Sequence, residues 1–240
     1  MIKEAMEYLL SKAGNQIHRE HGQTYSTERM HLVERPTADP LVLNTLKGIV
    51  DYINENVDRR NDGSLTELII HIKSPERVEV VKQLNDDRKR EVLIQSIAWL
   101  PEFIFDRYYD SETFNIKLQS CFVQNEERDI ALKVVGNIKQ EAVKTYGDDG
   151  TSQSVVARTG VASVESVVVP NPITLAPRRT FVEIEQPESN FIFRMKDGPS
   201  CALFEADGGA WKHEAMRNIR EYLEKELSGA MDGGSVMIIS

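Results

Sequence analysis

With 240 residues, 40% of them hydrophobic and 28% charged, the chain has an ordinary globular composition and is long enough to bury a core, in one large domain or two small ones. Its 29 basic and 38 acidic residues leave a formal charge of −9, which counts against nucleic-acid binding driven by counterion release, because that needs clustered Lys and Arg. Cys121 and Cys201, the only cysteines, lie far apart in apolar segments and read as buried thiols rather than a disulfide framework.

The first residues enter an amphipathic helical pattern (Ile2, Ala5, Met6, Leu9, Leu10, Ala13, Ile17) that carries charges, unlike a signal peptide. No apolar run approaches the roughly 20 residues that span a bilayer, so a cytoplasmic location is expected. An extended piece over 30–33 ends at Pro36 and Pro40. A second helix follows, marked by Leu43, Leu46, Ile49, Val50, Ile53 and Val57, with Asn44 or Thr45 as its cap. The charged stretch 58–63 breaks it.

Three β-prone runs then predict a meander over 68–72, 77–84 and 91–99, turning at Ser74-Pro75 and at 85–87. Arg88, Lys89 and Arg90, the strongest basic cluster, read as solvated residues between two of these strands. Two helices follow, one on Phe114, Leu118, Cys121 and Phe122 after Asp110 or Ser111, the other on Ile130, Ala131, Val134, Val135 and Ile138. Glycine and small polar residues over 146–154 suggest a domain boundary or a loop. Beyond it strands are expected at 155–158, 161–169, 180–185, 191–195 and 201–205. Pro170, Pro172 and Pro177 hold the intervening 169–176 on an extended edge or linker path. A long helix from near Ala210 buries Trp211, Ala215, Ile219, Tyr222, Leu223 and Leu227.

These elements give an α+β protein, with an antiparallel or mixed sheet flanked by helices and a strand-rich C-terminal half closed by a long helix and an extended tail. The expected divisions are an N-terminal helix and arm over 1–40, an α+β domain over 41–146, a strand-rich domain with its helix over 147–228, and a flexible tail with an apolar strand over 229–240.

Chemistry is sparse. Glu205 and Asp207, at i and i+2 near a strand end, could share one face and hold a hard cation such as Mg²⁺. The plainer reading makes Asp207 a helix cap and Gly208-Gly209 a tight turn. A metal nuclease would want a lysine soon after the acidic pair, and Lys212 falls on the helix instead. Gly147-Asp148-Asp149-Gly150 lacks the alternating ligands of an EF-hand. His18 and His21 lack zinc-motif spacing, and His31, His71 and His213 stand alone. No serine-nucleophile, phosphate-loop or dinucleotide motif occurs, so neither a catalytic constellation nor a cofactor is expected. Phe181, Phe191 and Phe193 could stack bases, but without interleaved cations they read as core.

One feature resists a bland reading. After the spacer 228–234 comes the apolar run Val236, Met237, Ile238 and Ile239, a liability unless paired or buried. Two outcomes stay open: it docks on its own sheet, or it crosses to a neighbouring subunit as an added strand.

The blocks Arg179-Thr180-Phe181, Glu185-Gln186-Pro187 and 204–211 are recognisable wording, as are Asp51-Tyr52-Ile53, Ile69-Ile70-His71 and the 78–99 meander. Through them the chain resembles, from about 43 to 227, the YfdQ-like family of phage and prophage proteins. The resemblance implies a phage or prophage origin and brings no site residues with it. With the tail, it leads to the expectation of a non-enzymatic homo-oligomer that self-assembles into a ring or shell-like particle, through an interface at Val236, Met237, Ile238 and Ile239. The alternatives are an accessory of phage DNA replication or recombination that binds single strands or a host enzyme, and a metal-dependent hydrolase using Glu205 and Asp207.

Overall fold

The computed structural model describes residues 2–12, 14, 17–20, 23–26, 37–55, 67–85, 88–136, 146–148, 153–155, 169–196 and 200–240. The chain divides into two compact units, Met1–Ala38 and Asp39–Ser240. The first holds helix α1 (Ile2–Lys12) and an antiparallel hairpin, β1 (Ile17–Glu20) with β2 (Gln23–Ser26). Ile2, Met6 and Leu9 of α1 are exposed.

The second unit opens with β3 (Leu41–Leu43) and α2 (Leu46–Asn54). Thr45 takes extended backbone and its hydroxyl accepts the Gly48 N–H at 3.1 Å, satisfying one of the orphan donors that start a helix. The meander follows as β4 (Leu68–Ser74), β5 (Arg77–Leu84) and β6 (Arg90–Ile97). Next come β7 (Tyr109–Asp110), α3 (Ser111–Cys121) and α4 (Glu126–Gly136). Asp110 caps α3 by accepting the Thr113 N–H at 2.8 Å.

The glycine-rich 146–154 stretch, expected as a loop or boundary, contains a small hairpin of β8 (Tyr146–Asp148) and β9 (Gln153–Val155). The remaining elements are β10 (Ile173–Leu175), β11 (Ser189–Lys196), β12 (Ser200–Glu205), α5 (Trp211–Glu226), α6 (Ser228–Asp232) and β13 (Val236–Ile239). The expected pieces at 30–33, 58–63 and 161–168 lie outside the described residues.

Two sheets organise this unit. One is antiparallel, in the order β10-β11-β12-β7. The other is mixed, in the order β13-β4-β5-β6-β3, with β13 parallel to β4 and β3 parallel to β6. With α2 to α6 of the same unit beside them, the α+β class is as expected.

Each sheet has its own core. Against the mixed sheet, α2 and α5 pack Leu46, Ile49, Ile219 and Leu223 on Ile70, Ile72, Val78, Val80 and Ile94. Against the antiparallel sheet, α3 and α4 pack Phe114, Leu118, Val134 and Val135 on Ile173, Phe191, Phe193 and Leu203. Both cores draw residues from either side of position 146.

Two expectations need correction here. Residues 180–185 form no strand. Gln186 supplies the partners a ladder would otherwise provide: its Oε1 accepts the N–H groups of Arg179 and Thr180, and its Nε2 donates to the carbonyls of Phe181 and Ile184. The segment is thereby free to turn Phe181 and Ile184 into the mixed-sheet core.

Nor is 228–234 a loose spacer. It forms α6, ended by Gly234 at φ +70, with Gly234 N–H bonded to Met231 O and Ser235 N–H to Ala230 O. That six-to-one closure is the usual glycine end of a helix and aims the chain straight into β13.

The residues 178–189 tie the two cores together, so unfolding is expected as one transition. Phe191→Ala, in the antiparallel-sheet core, should cost about 3–5 kcal/mol. Urea melts followed by far-UV dichroism and by tryptophan fluorescence should shift together; separate midpoints would show that the cores melt independently.

Candidate functional site

The acidic turn at the end of β12 is the first place to look for chemistry, and a cation already sits there. Arg179, only 7% exposed, donates from Nη1 to Glu205 Oε1 at 3.0 Å and from Nη2 to Ser189 Oγ. Ser189 Oγ in turn donates to Asp207 Oδ2 at 2.5 Å, and Asp207 Oδ1 accepts the Gly209 N–H at 3.0 Å. The guanidinium lies 3.9 Å from the centre of the Trp211 ring and 5.8 Å from that of Phe191, a placement that adds cation–π attraction to the ion pair.

Burial pushes Arg179 down to about 10, against the pull of Glu205 and Asp207, so it stays charged at neutral pH. Burial alone would push the Asp207 carboxyl up. The Ser189 hydroxyl, the Gly209 N–H and Arg179 outweigh it and hold the group below its ordinary range.

Glu205 and Asp207, the metal candidates, converge on Arg179 and Ser189, whose donors engage Glu205 Oε1 and Asp207 Oδ2. Among the described residues no group of three or more His, Cys, Asp or Glu could hold a metal ion. Lys212 lies on α5 beside the Trp211 ring, 5.9 Å from its centre. Asp207 also departs from a simple helix cap: it binds the turn, and α5 begins after Ala210 with no side-chain cap. Gly208 and Gly209, at φ +62 and +80, make that turn, which explains the glycine pair without a ligand.

The other candidates disperse. Phe191 and Phe193 are buried in the antiparallel-sheet core and Phe181 in the mixed-sheet core, so none offers a stacking platform. His18 pairs with Tyr25 across the hairpin; His21 and His31 lie outside the described residues, as do Asp149 and Gly150. Cys121 and Cys201 are buried and free, and burial pushes the Cys201 thiol up to about 12.

The apolar tail residues, in contrast, form a definite surface. β13 docks on its own chain's sheet, the first of the two outcomes left open, as the outermost of that sheet's described strands. Val236 and Ile238 point into the mixed-sheet core, each 7% exposed. Met237 and Ile239 point to the opposite face and are exposed. Register places Met237 beside Ile69, at the head of a row that continues through Val81 and Val92, and Ile239 beside His71, at the head of a row that crosses the sheet through Glu79 and Gln95 to Val42.

At the centre of that outer face Glu79 is 6% exposed. Its Oε1 accepts from Lys73 at 3.2 Å, Arg77 Nη2 at 2.7 Å and Gln95 at 3.2 Å. Near the other edge, Val42, Ile97 and Trp99 are exposed, Trp99 at 81%. One residue the sequence did not single out belongs to the tail as well. Arg220 of α5 reaches to the edge of β13, donating to Ile238 O at 3.3 Å and to Ser240 Oγ at 2.9 Å.

No protein-family model, curated protein or solved structure matches the chain. No helix among the described residues is long and apolar enough to cross a membrane.

Arg179 is buried while Glu205 is exposed, so Arg179→Ala loses hydrogen bonds and packing on Trp211 but leaves no buried charge behind, and should cost about 1–3 kcal/mol in urea denaturation. Asp207, with its folded value depressed, contributes stability that is full above its unfolded value and lost as pH falls through the folded one. Asp207→Asn should therefore be less stable at pH 7, with a shallower fall in stability below about pH 4 than the parent protein. Equal slopes in the two proteins would show that Asp207 does not carry this term.

Proposed function

We propose that this protein is a phage- or prophage-encoded, non-enzymatic protein that works as a homo-oligomer, joined through the β13 edge of its mixed sheet. The observation that carries the proposal is the character of that edge. An outermost strand presents unpaired backbone groups, and natural sheets guard such edges with proline, charge, bulges or a covering element. Val236–Ile239 has no proline and no charged side chain, and its register with β4 runs without a bulge. Among the described residues its one guard is Arg220. The opposite edge, β3, is shorter and follows Pro40, which has no N–H to donate.

A ring or shell needs a second surface besides the first contact. Val42, Ile97 and Trp99 supply an exposed apolar patch across the sheet from β13, and buried tryptophans commonly anchor interfaces. The phage or prophage origin rests on the resemblance in wording and order.

The test is the native mass of the purified protein by light scattering, with negative-stain images of the same peak. Discrete species well above 27.2 kDa are expected. Deleting 236–240 would also strip Val236 and Ile238 from the core, so the informative variant is Met237→Lys with Ile239→Lys, which charges exposed positions only. It should return the protein to monomer mass with unchanged dichroism. A monomeric parent protein at every concentration tried would overturn the proposal.

A further inference from the structure

The backbone phase of β13 decides which partner fits its edge. Leu68 N–H bonds to Ser235 O at 2.9 Å, and Val236 lies opposite Leu68 in the parallel register. In a parallel ladder alternate residues send both backbone groups to the same neighbour. Residues 235, 237 and 239 therefore face β4, and Val236 and Ile238 send their N–H and C=O outward. The Arg220 contact to Ile238 O agrees with that direction.

Resting on the proposal of self-association through this edge, we infer that the occupant is β13 of a second copy, running antiparallel about a two-fold axis at Met237. Outward-facing residues of two antiparallel strands must form the narrow, hydrogen-bonded pairs. With the axis at Met237, Val236 of each copy exchanges N–H···O bonds with Ile238 of the other. Moving the axis to Ile238 would pair Val236 with Ser240, and Arg220 already occupies that end of the strand through Ile238 O and Ser240 Oγ. The Met237 axis leaves Ser240 outside the seam and asks Arg220 only to share one carbonyl, which has two lone pairs.

The side chains suit the same symmetry. An axis perpendicular to the sheet keeps both α5 helices on one face of a continuous sheet. On the other face it brings Met237 against its own copy, flanked by the two Ile239 side chains and by Ile69, with no charge on the strand to repel its equivalent. A seam of this length is small beside the roughly 1,200 Å² of a stable complex. The contact is accordingly concentration-dependent, and tighter where a second surface joins it.

The axis makes residue 237 a non-hydrogen-bonded pair with itself, at a Cα separation of about 4.5 Å, which is within disulfide range. Met237→Cys should therefore cross-link to a covalent dimer under mild oxidation of the full-length protein, and Ile239→Cys, opposite residue 235 of the second copy, should not. The native thiols are buried and leave the background low. Rapid cross-linking of Met237→Cys that outpaces Ile239→Cys at least tenfold supports the axis. An oligomeric parent protein that is dissociated by the lysine substitutions, yet cross-links equally at both positions or at neither, overturns the axis and leaves edge assembly standing. A monomeric parent protein overturns both.

Discussion

One buried cation fixes the junction between the two cores of the second unit. Arg179 sits where the chain leaves the antiparallel-sheet core and enters the mixed-sheet core, and a guanidinium taken out of water must find its acceptors nearby. It finds Glu205 at the end of β12, Ser189 at the start of β11 and, through Ser189, Asp207 at the turn into α5. Trp211 covers its face. The start of β11, the end of β12 and the start of α5 are thus fixed relative to one another by a single side chain. Gln186 does the same for the loop beside it, and Thr180 bonds to Pro75 O at 2.6 Å, in the turn between β4 and β5. The sheets lie on either side of a polar junction held by these bonds.

That junction was hard to see in the sequence for a specific reason. Arg179 meets Ser189, Glu205 and Trp211 at separations that follow no helical or strand period, so no window of residues announces them as partners. The acidic pair was visible without its cation and therefore invited a metal. The aromatic, β-branched wording of 180–185 suggested a strand because Phe181 and Ile184 are indeed buried. What stops the strand is Gln186, whose amide takes the backbone groups, and propensity carries no record of such a competitor. Elements whose own side chains decide them were legible: the β4–β6 meander, the caps Thr45 and Asp110, β11, β12 and α5. Short edge strands such as β3 and β7 were not, because two or three residues give alternation too little length to register, whereas β10 falls within the proline-flanked 169–176 path expected as an edge or linker.

The tail shows the same division between local and distant information. The run Val236, Met237, Ile238 and Ile239 announced a β-prone strand, and the sequence left its partner open. Its docking depends on residues far away: Leu68 and Ile70 give it a parallel neighbour, Ile219 and Leu223 a core to enter. The glycines read as a flexible spacer are instead part of the helix end that directs it. Alternation then sorts the four residues, Val236 and Ile238 inward, Met237 and Ile239 outward.

The outer face of the mixed sheet makes the proposed association through its edge less costly than stacking on its face would be. Glu79, at the centre, accepts from Lys73, Arg77 and Gln95, and Lys73 and Arg77 keep part of their side chains in water. Laying another sheet across this cluster would desolvate both cations with no acceptor supplied in return, a cost of several kcal/mol per ion. Apolar Met237, Ile239, Val42, Ile97 and Trp99 lie toward the two edges instead, where a neighbour can cover them without crossing the polar centre. The sheet edge offers outward backbone donors and acceptors, and pairing those with an identical strand buries no unmatched charge. Polar centre and apolar margins would therefore steer a contacting copy sideways, in the plane of the sheet, which is the direction the proposed strand-to-strand seam requires.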